Sequence, residues 1–173
     1  MILGGARSGK SDHALHLARE SGLETVLVAT ATVRENDTEM ASRIARHRAS
    51  RPAGWRVIEE PCRLGATLAR TVSPTCFVVV DCLTLWLTNL LLDQEFEARL
   101  DEERNALLGC LPGLDGPVAF VSNETGLGVV PMGELSRRFV DECGTLHQDL
   151  ARLCDQVTFM VAGLPMTLKG KKP

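Results

Sequence analysis

The chain has 173 residues, 45% of them hydrophobic and 24% charged, with a formal net charge of −3. That length suits one domain with a sizeable core. The slight acidic excess argues against a nucleic-acid surface, and no apolar run approaches the roughly 18 residues needed to cross a bilayer.

Elements follow one another in an alternating order. The segment GGARSGKS (4–11) is a glycine-rich loop, preceded by a very short first strand and followed by a helical pattern. Residues 24–30 (ETVLVAT) read as a buried strand, and 36–50 as a helix capped by Asn36 or Asp37. A short strand at 55–59 precedes a helix over 61–71, with Pro61 at a first helical position. CFVVVDC (76–82) has the continuous apolar character of a central strand. Helical stretches near 83–92 and 97–111 lead to a strand at 117–123. Residues 134–154 then place Leu135, Phe139, Cys143, Leu146, Leu150 and Leu153 on one helical stripe. A strand at 156–163 closes the series, and the tail KGKKP reads as frayed and solvated. Strands alternating with helices predict an α/β fold: three layers, a mostly parallel central sheet, one domain over residues 1–173.

The six cysteines, at 62, 76, 82, 110, 143 and 154, form no C-x-x-C pair and sit mostly in apolar stretches. They read as small buried hydrophobes in a reducing compartment, so a cytoplasmic protein without a zinc site is expected. Arg7, Lys10 and several glycines stand where a secretory leader would need apolar residues.

Two features carry chemistry. GGARSGKS matches G-x-x-x-x-G-K-[ST] through Gly4, Gly9, Lys10 and Ser11. Glycines let backbone N–H groups turn toward phosphate oxygens, and the helix that follows aims its positive end at the same anion. Lys10 is placed for the β- and γ-phosphates, and Ser11 for Mg²⁺. Asp81, at the carboxyl end of a buried strand, is the acid expected to hold that metal. No N-K-x-D base-reading motif accompanies the loop. A small-molecule kinase and a non-catalytic nucleotide-binding regulator both stay open on these residues.

The second feature is RIARHRASRP (43–52), where Arg43, Arg46, Arg48 and Arg51 surround His47. Composition alone allows a solvated basic face. An imidazole beside guanidinium groups is also a competent nucleophile toward an α-phosphate. Elsewhere, His13 and His16 read as solvated helix positions, with a metal pair as the alternative, and His147 as a surface residue. The apolar run 82–92 with Trp86 reads as core or subunit interface, with a substrate-facing surface as the alternative. The loop NETGLGVVP (123–131) has the glycines of an active-site loop, where Glu124 faces either metal or substrate.

Together GGARSGKS, RIARHRASRPAGWRVIE, VVVDCLTLWLTNLL and VSNETGLGVVP resemble the bifunctional adenosylcobinamide kinase / adenosylcobinamide-phosphate guanylyltransferase family of cobalamin biosynthesis. The resemblance implies a P-loop nucleotide hydrolase-like fold and two reactions with ATP and GTP as substrates and Mg²⁺ as cofactor. Adenosylcobinamide is phosphorylated, and its phosphate then receives GMP from GTP through a covalent GMP–histidine intermediate, giving adenosylcobinamide-GDP. The histidine matches His47. Nucleotide contacts carry over to Gly4, Gly5, Ala6, Arg7, Ser8, Gly9, Lys10 and Ser11. Beyond the loop they fall on Thr30, Ala31 and Thr32, then on Arg48, Ala49, Ser50 and Arg51, and on Glu59 and Asp81. Ala31 stands where the family pattern has a serine. Lys10 joins His47 as catalytic, and Ser11 and Asp81 are the metal residues. A homotrimer is the implied assembly.

Overall fold

The computed structural model describes residues 1–32, 38, 41–42, 44–45 and 54–171. Among them, seven strands form one sheet: β1 (Ile2–Gly4), β2 (Glu24–Ala29), β3 (Arg56–Glu59), β4 (Cys76–Asp81), β5 (Val118–Asn123), β6 (Val157–Val161) and β7 (Leu164–Lys169). The order across the sheet is β3-β2-β4-β5-β1-β6-β7. All neighbours pair in parallel except β6 and β7. Parallel pairing brings the carboxyl ends of β1 to β6 to one rim, where ligands of open α/β sheets gather.

Helices cover both faces. Those described in full are α1 (Lys10–Glu20), α2 (Leu64–Thr71), α3 (Leu83–Leu92), α4 (Gln94–Glu97), α5 (Leu100–Cys110) and α6 (Glu134–Leu153), with a 3₁₀ turn at Leu111–Gly113. The period of two along each strand sorts the core. Val26, Val28, Val78, Val80 and Phe120 pack under α2, α3, α5 and α6. Ile2, Leu27, Val79, Ala119 and Val121 meet Ala14 and Ala18 of α1 on the other face. Strands buried on both sides need the continuous apolar runs that the sequence shows.

Several expectations are refined. Thr38, Ala41, Ser42, Ile44 and Ala45, within the predicted 36–50 helix, are helical. The rest of that segment, with its Asn36 or Asp37 cap and His47, lies outside the described residues. The 61–71 helix starts at Leu64. Glu60 organises its entry, accepting from the N–H groups of Cys62 (3.0 Å) and Arg63 (2.7 Å) and from Thr67 Oγ1 (3.0 Å). The 97–111 stretch divides into the end of α4, α5 and the 3₁₀ turn.

On α6 the stripe is buried through Cys143, Leu146 and Leu150, while Leu135 and Leu153 at its ends are exposed. Trp86 is fully buried, and its Nε1 donates to the Cys62 carbonyl at 2.6 Å, which makes it core. The six cysteines are free, four of them buried.

The strand at 156–163 is not the last. A tight turn at Ala162 (φ 50°) and Gly163 (φ 81°) returns the chain as β7. Positive φ at both central residues is the hairpin geometry usually marked by Asn-Gly. Here alanine fills the first place, and Pro165 in the return strand hides it further. Lys169, expected in a frayed tail, donates from Nζ to the carbonyls of Ala151 (2.8 Å) and Arg152 (3.0 Å). It thereby caps the carboxyl end of α6.

Candidate active site

The loop from Gly4 to Ser11 joins β1 to α1 at the carboxyl rim. Two of its glycines are required by space as well as by backbone. A Cβ on Gly4 would lie 2.5 Å from the Met160 carbonyl oxygen and 2.7 Å from Ser8 Oγ. Gly9, at φ 94°, is the residue preceding α1 and would crowd Gly163 Cα at 3.2 Å. Neighbouring chain pins the loop. The N–H of Glu124 donates to the Gly4 carbonyl (3.0 Å), and that of Gly163 donates to the Ser8 carbonyl (3.0 Å). No side chain caps α1, so its first-turn N–H groups face the loop as an anion site.

Lys10 is buried, and its Nζ donates to the Gly5 carbonyl at 2.6 Å and lies 3.5 Å from Ser8 Oγ. The ammonium therefore folds back across the loop, where an arriving phosphate offers it stronger, charged acceptors. Burial lowers its pKa below the ordinary lysine value, while Cys82 and Asp81 pull the other way.

Asp81 ends β4, two strands from β1. Ser11 Oγ donates to Asp81 Oδ2 at 3.3 Å. A hydroxyl and a carboxylate meeting at the mouth of a phosphate-type loop are hard oxygen donors. That set suits Mg²⁺, which takes one or two protein oxygens and fills its shell with water and phosphate. Among the described residues no group of three or more His, Cys, Asp or Glu side chains is arranged to hold a metal.

Thr30 is fully buried beside this pair. Its N–H donates to the Asp81 carbonyl (3.2 Å), and its hydroxyl accepts from Cys82 N–H (2.9 Å) and donates to Cys82 O (2.7 Å). Its side chain thus joins the ends of β2 and β4, across the cis Asp81–Cys82 peptide, and builds the cleft floor. Asn89 of α3 completes that floor. Its Nδ2 donates to the carbonyls of Thr30 (2.7 Å) and Pro61 (3.1 Å), and its Oδ1 accepts from Thr32 Oγ1 (3.0 Å). One buried amide thereby fixes the turns after β2 and β3. Sequence reasoning missed it, although a lone asparagine inside CLTLWLTNLLL was a visible signal.

Glu59 ends β3 and is exposed. Four strand spacings separate β3 from β1, about 19 Å, so Glu59 and Lys10 cannot hold the same group. His47, Arg48, Ala49, Ser50 and Arg51 lie outside the described residues. His13 is half-buried and His16 exposed on α1. His147, expected at the surface, is buried, with Nε2 2.7 Å from Ser122 Oγ. Leu146 and Leu150 of the same helix are also buried in the core. A separate groove, bordered by Phe77, Leu111, Leu114 and Leu153, opens among the amino ends of the strands, at the opposite rim.

The family model described as "Cobinamide kinase / cobinamide phosphate guanyltransferase" matches residues 1–168. The chain belongs to this family. The bifunctional adenosylcobalamin biosynthesis protein CobP of Pseudomonas aeruginosa is 61% identical over 171 residues, covering 99% of this chain and 97% of the relative. The protein of the same description, CobU, from Escherichia coli is 34% identical over 181 residues, covering 98% of both. A solved protein of Pyrococcus horikoshii superposes with a TM-score of 0.50 at 11% identity, over 99% of this chain and 85% of its own, a likeness of fold alone. At the carboxyl rim of this cobinamide kinase/guanyltransferase chain, the structure brings together the loop with Lys10, the Ser11–Asp81 pair and the Asn89-braced floor.

Proposed function

We propose that this chain, as one nucleotide-binding domain, phosphorylates adenosylcobinamide and then joins the product to GMP, releasing adenosylcobinamide-GDP. The observation that carries this reading is the convergence of Lys10, Ser11 and Asp81 at the rim of the sheet. Gly4 to Ser11 is the shared phosphate cradle. In the first step an ATP or GTP γ-phosphate lies within the backbone N–H groups and against Lys10, and the acceptor hydroxyl attacks in line. Ser11 and Asp81 hold Mg²⁺, which when bound offsets negative charge on the phosphates.

In the second step a ring nitrogen of His47 attacks the α-phosphorus of GTP. The bond to the bridging oxygen breaks, pyrophosphate leaves, and a phosphoramidate remains. A phosphate oxygen of the acceptor then displaces the histidine. Arg48 and Arg51, with Ala49 and Ser50 between them, border the nucleotide, and the arginines offset phosphate charge. Thr30, Ala31 and Thr32 contribute the turn after β2, and Glu59 meets a part of the substrate remote from Lys10.

The enzyme works in the cytoplasm as a homotrimer. Supporting self-association, β7 is an edge strand that exposes Leu164, Met166 and Leu168, and the loop after β5 exposes Leu127, Val129 and Met132. Among the described residues no helix is long and apolar enough to cross a membrane. Covalent labelling by α-labelled GTP tests the function. A single-activity kinase or a binding-only regulator stays unlabelled.

A further inference from the structure

Transfer of a phosphoryl group to a hydroxyl releases the hydroxyl proton, and a positioned side chain commonly takes it. We propose that Glu124 is this general base for the kinase step. The assignment rests on the reading of Gly4–Ser11 as the phosphate cradle.

Position selects Glu124. Among the described residues, four carboxylates stand at the carboxyl ends of the strands: Glu59, Glu60, Asp81 and Glu124. Both oxygens of Glu60 are engaged at the start of α2. Asp81 is paired with Ser11. Glu59 sits four strands from β1, about 19 Å away. Glu124 directly follows β5, the strand beside β1 on the side toward Asp81. Its own N–H donates to the Gly4 carbonyl, the first residue of the cradle.

The carboxylate is hydrogen-bonded through one oxygen, and the other faces His147. Oε1 accepts from Gly126 N–H at 2.6 Å. Gly126 allows this closeness, since a Cβ there would come within 3.1 Å of the same oxygen. Oε2 lies 4.0 Å from His147 Nδ1, and the side chain keeps 22% of its surface exposed. His147 is itself held through Ser122, so a buried ring backs Oε2. A base must be held in place yet reachable by substrate, and this arrangement provides both.

In the step itself, the acceptor hydroxyl oxygen bonds to the γ-phosphorus. The bond from that phosphorus to the β,γ-bridging oxygen breaks, and the leaving nucleoside diphosphate keeps the electron pair. The hydroxyl proton passes to Glu124 Oε2 and then to solvent. In guanylyl transfer both nucleophiles, a neutral imidazole and an ionised phosphate, attack without such a base.

The test compares Glu124→Gln and Glu124→Asp with the parent. Glutamine keeps an oxygen for Gly126 but cannot take a proton. Glu124→Gln should slow phosphorylation of adenosylcobinamide about 100-fold or more. Guanylylation of supplied adenosylcobinamide phosphate, and nucleotide Kd, should stay within about threefold. Glu124→Asp should recover at least about tenfold over Glu124→Gln, since it restores a base one methylene short. The proposal is overturned if phosphorylation by Glu124→Gln stays within about tenfold of parent, if both reactions fall equally, or if Glu124→Asp recovers nothing. Lys10→Ala is the parallel arm. Loss of both reactions there supports the cradle, so an unaffected Glu124→Gln then overturns the base assignment alone.

Discussion

Asn89→Asp should be at least as harmful as Asn89→Ala, although it preserves the shape of the side chain. The Asn89 amide makes three hydrogen bonds, to Thr30 O, Pro61 O and Thr32 Oγ1. Each such bond contributes about 1 kcal/mol net, and a buried carbonyl left unpaired costs about 1–3 kcal/mol. Thr30 is fully buried, whereas Thr32 is exposed and can turn to water. Asn89→Ala should therefore cost about 3 kcal/mol, a fall in Tm of about 6–12 °C for a chain of this size. Aspartate can still accept from Thr32 but cannot donate while ionised. It places a carboxylate against two carbonyl oxygens, so its cost should equal or exceed that of alanine. Urea unfolding followed by circular dichroism measures both variants, and nucleotide binding should weaken in each as the turns after β2 and β3 loosen. If Asn89→Asp lies within about 1 kcal/mol of parent, the amide is not the brace described.

Asp81→Asn should raise the Mg²⁺ concentration for half-maximal rate by roughly tenfold or more in both reactions; an unchanged titration would remove Asp81 from the metal pair. For His147, burial lowers the pKa below the ordinary 6.5, with Glu124 acting in the opposite direction. As pH falls through 6.5 the unfolded chain takes up this proton before the folded one. Stability is therefore full above that pH and declines below it, by at most about 1.4 kcal/mol per pH unit for one group. His147→Gln should flatten that decline, leaving the smaller share of His13, whose pKa burial also lowers. A slope identical to the parent would mean that His147 protonates as freely in the folded protein as in the unfolded chain.

The sheet was legible because its inner strands β1, β2, β4 and β5 are buried on both faces and so carry unbroken apolar runs, as in FVVVD before Asp81. The glycine loop between β1 and α1 was legible because its spacing is dictated by covalent geometry. Gly4 has no room for a Cβ, Gly9 sits at a positive φ with a tight neighbour, and Lys10 and Ser11 must begin the helix. What escaped depends on distant partners. Asn89 acquires its role only when α3 passes beneath two turns, one near residue 30 and one near residue 61. His147 is buried because Ser122, 25 residues away, offers it a partner beneath β5. The β6–β7 hairpin was hidden because Ala162 adopts a positive φ without the asparagine or glycine that announces one. Pro61 looked like a helix start, yet Glu60 sets that start three residues later.

The covalent intermediate at His47 is the central step of the proposed mechanism. The purified chain would be incubated with α-labelled GTP and Mg²⁺, denatured and examined for protein-bound label, beside His47→Ala. The parent should carry label that acid releases and alkali leaves in place, the behaviour of a phosphoramidate. His47→Ala should carry none while still phosphorylating adenosylcobinamide, because the γ-phosphoryl step needs the cradle and an acceptor hydroxyl but no side-chain nucleophile. Label on His47→Ala, or an acid-stable bond in the parent, would contradict the histidine mechanism and favour direct attack of the substrate phosphate on GTP.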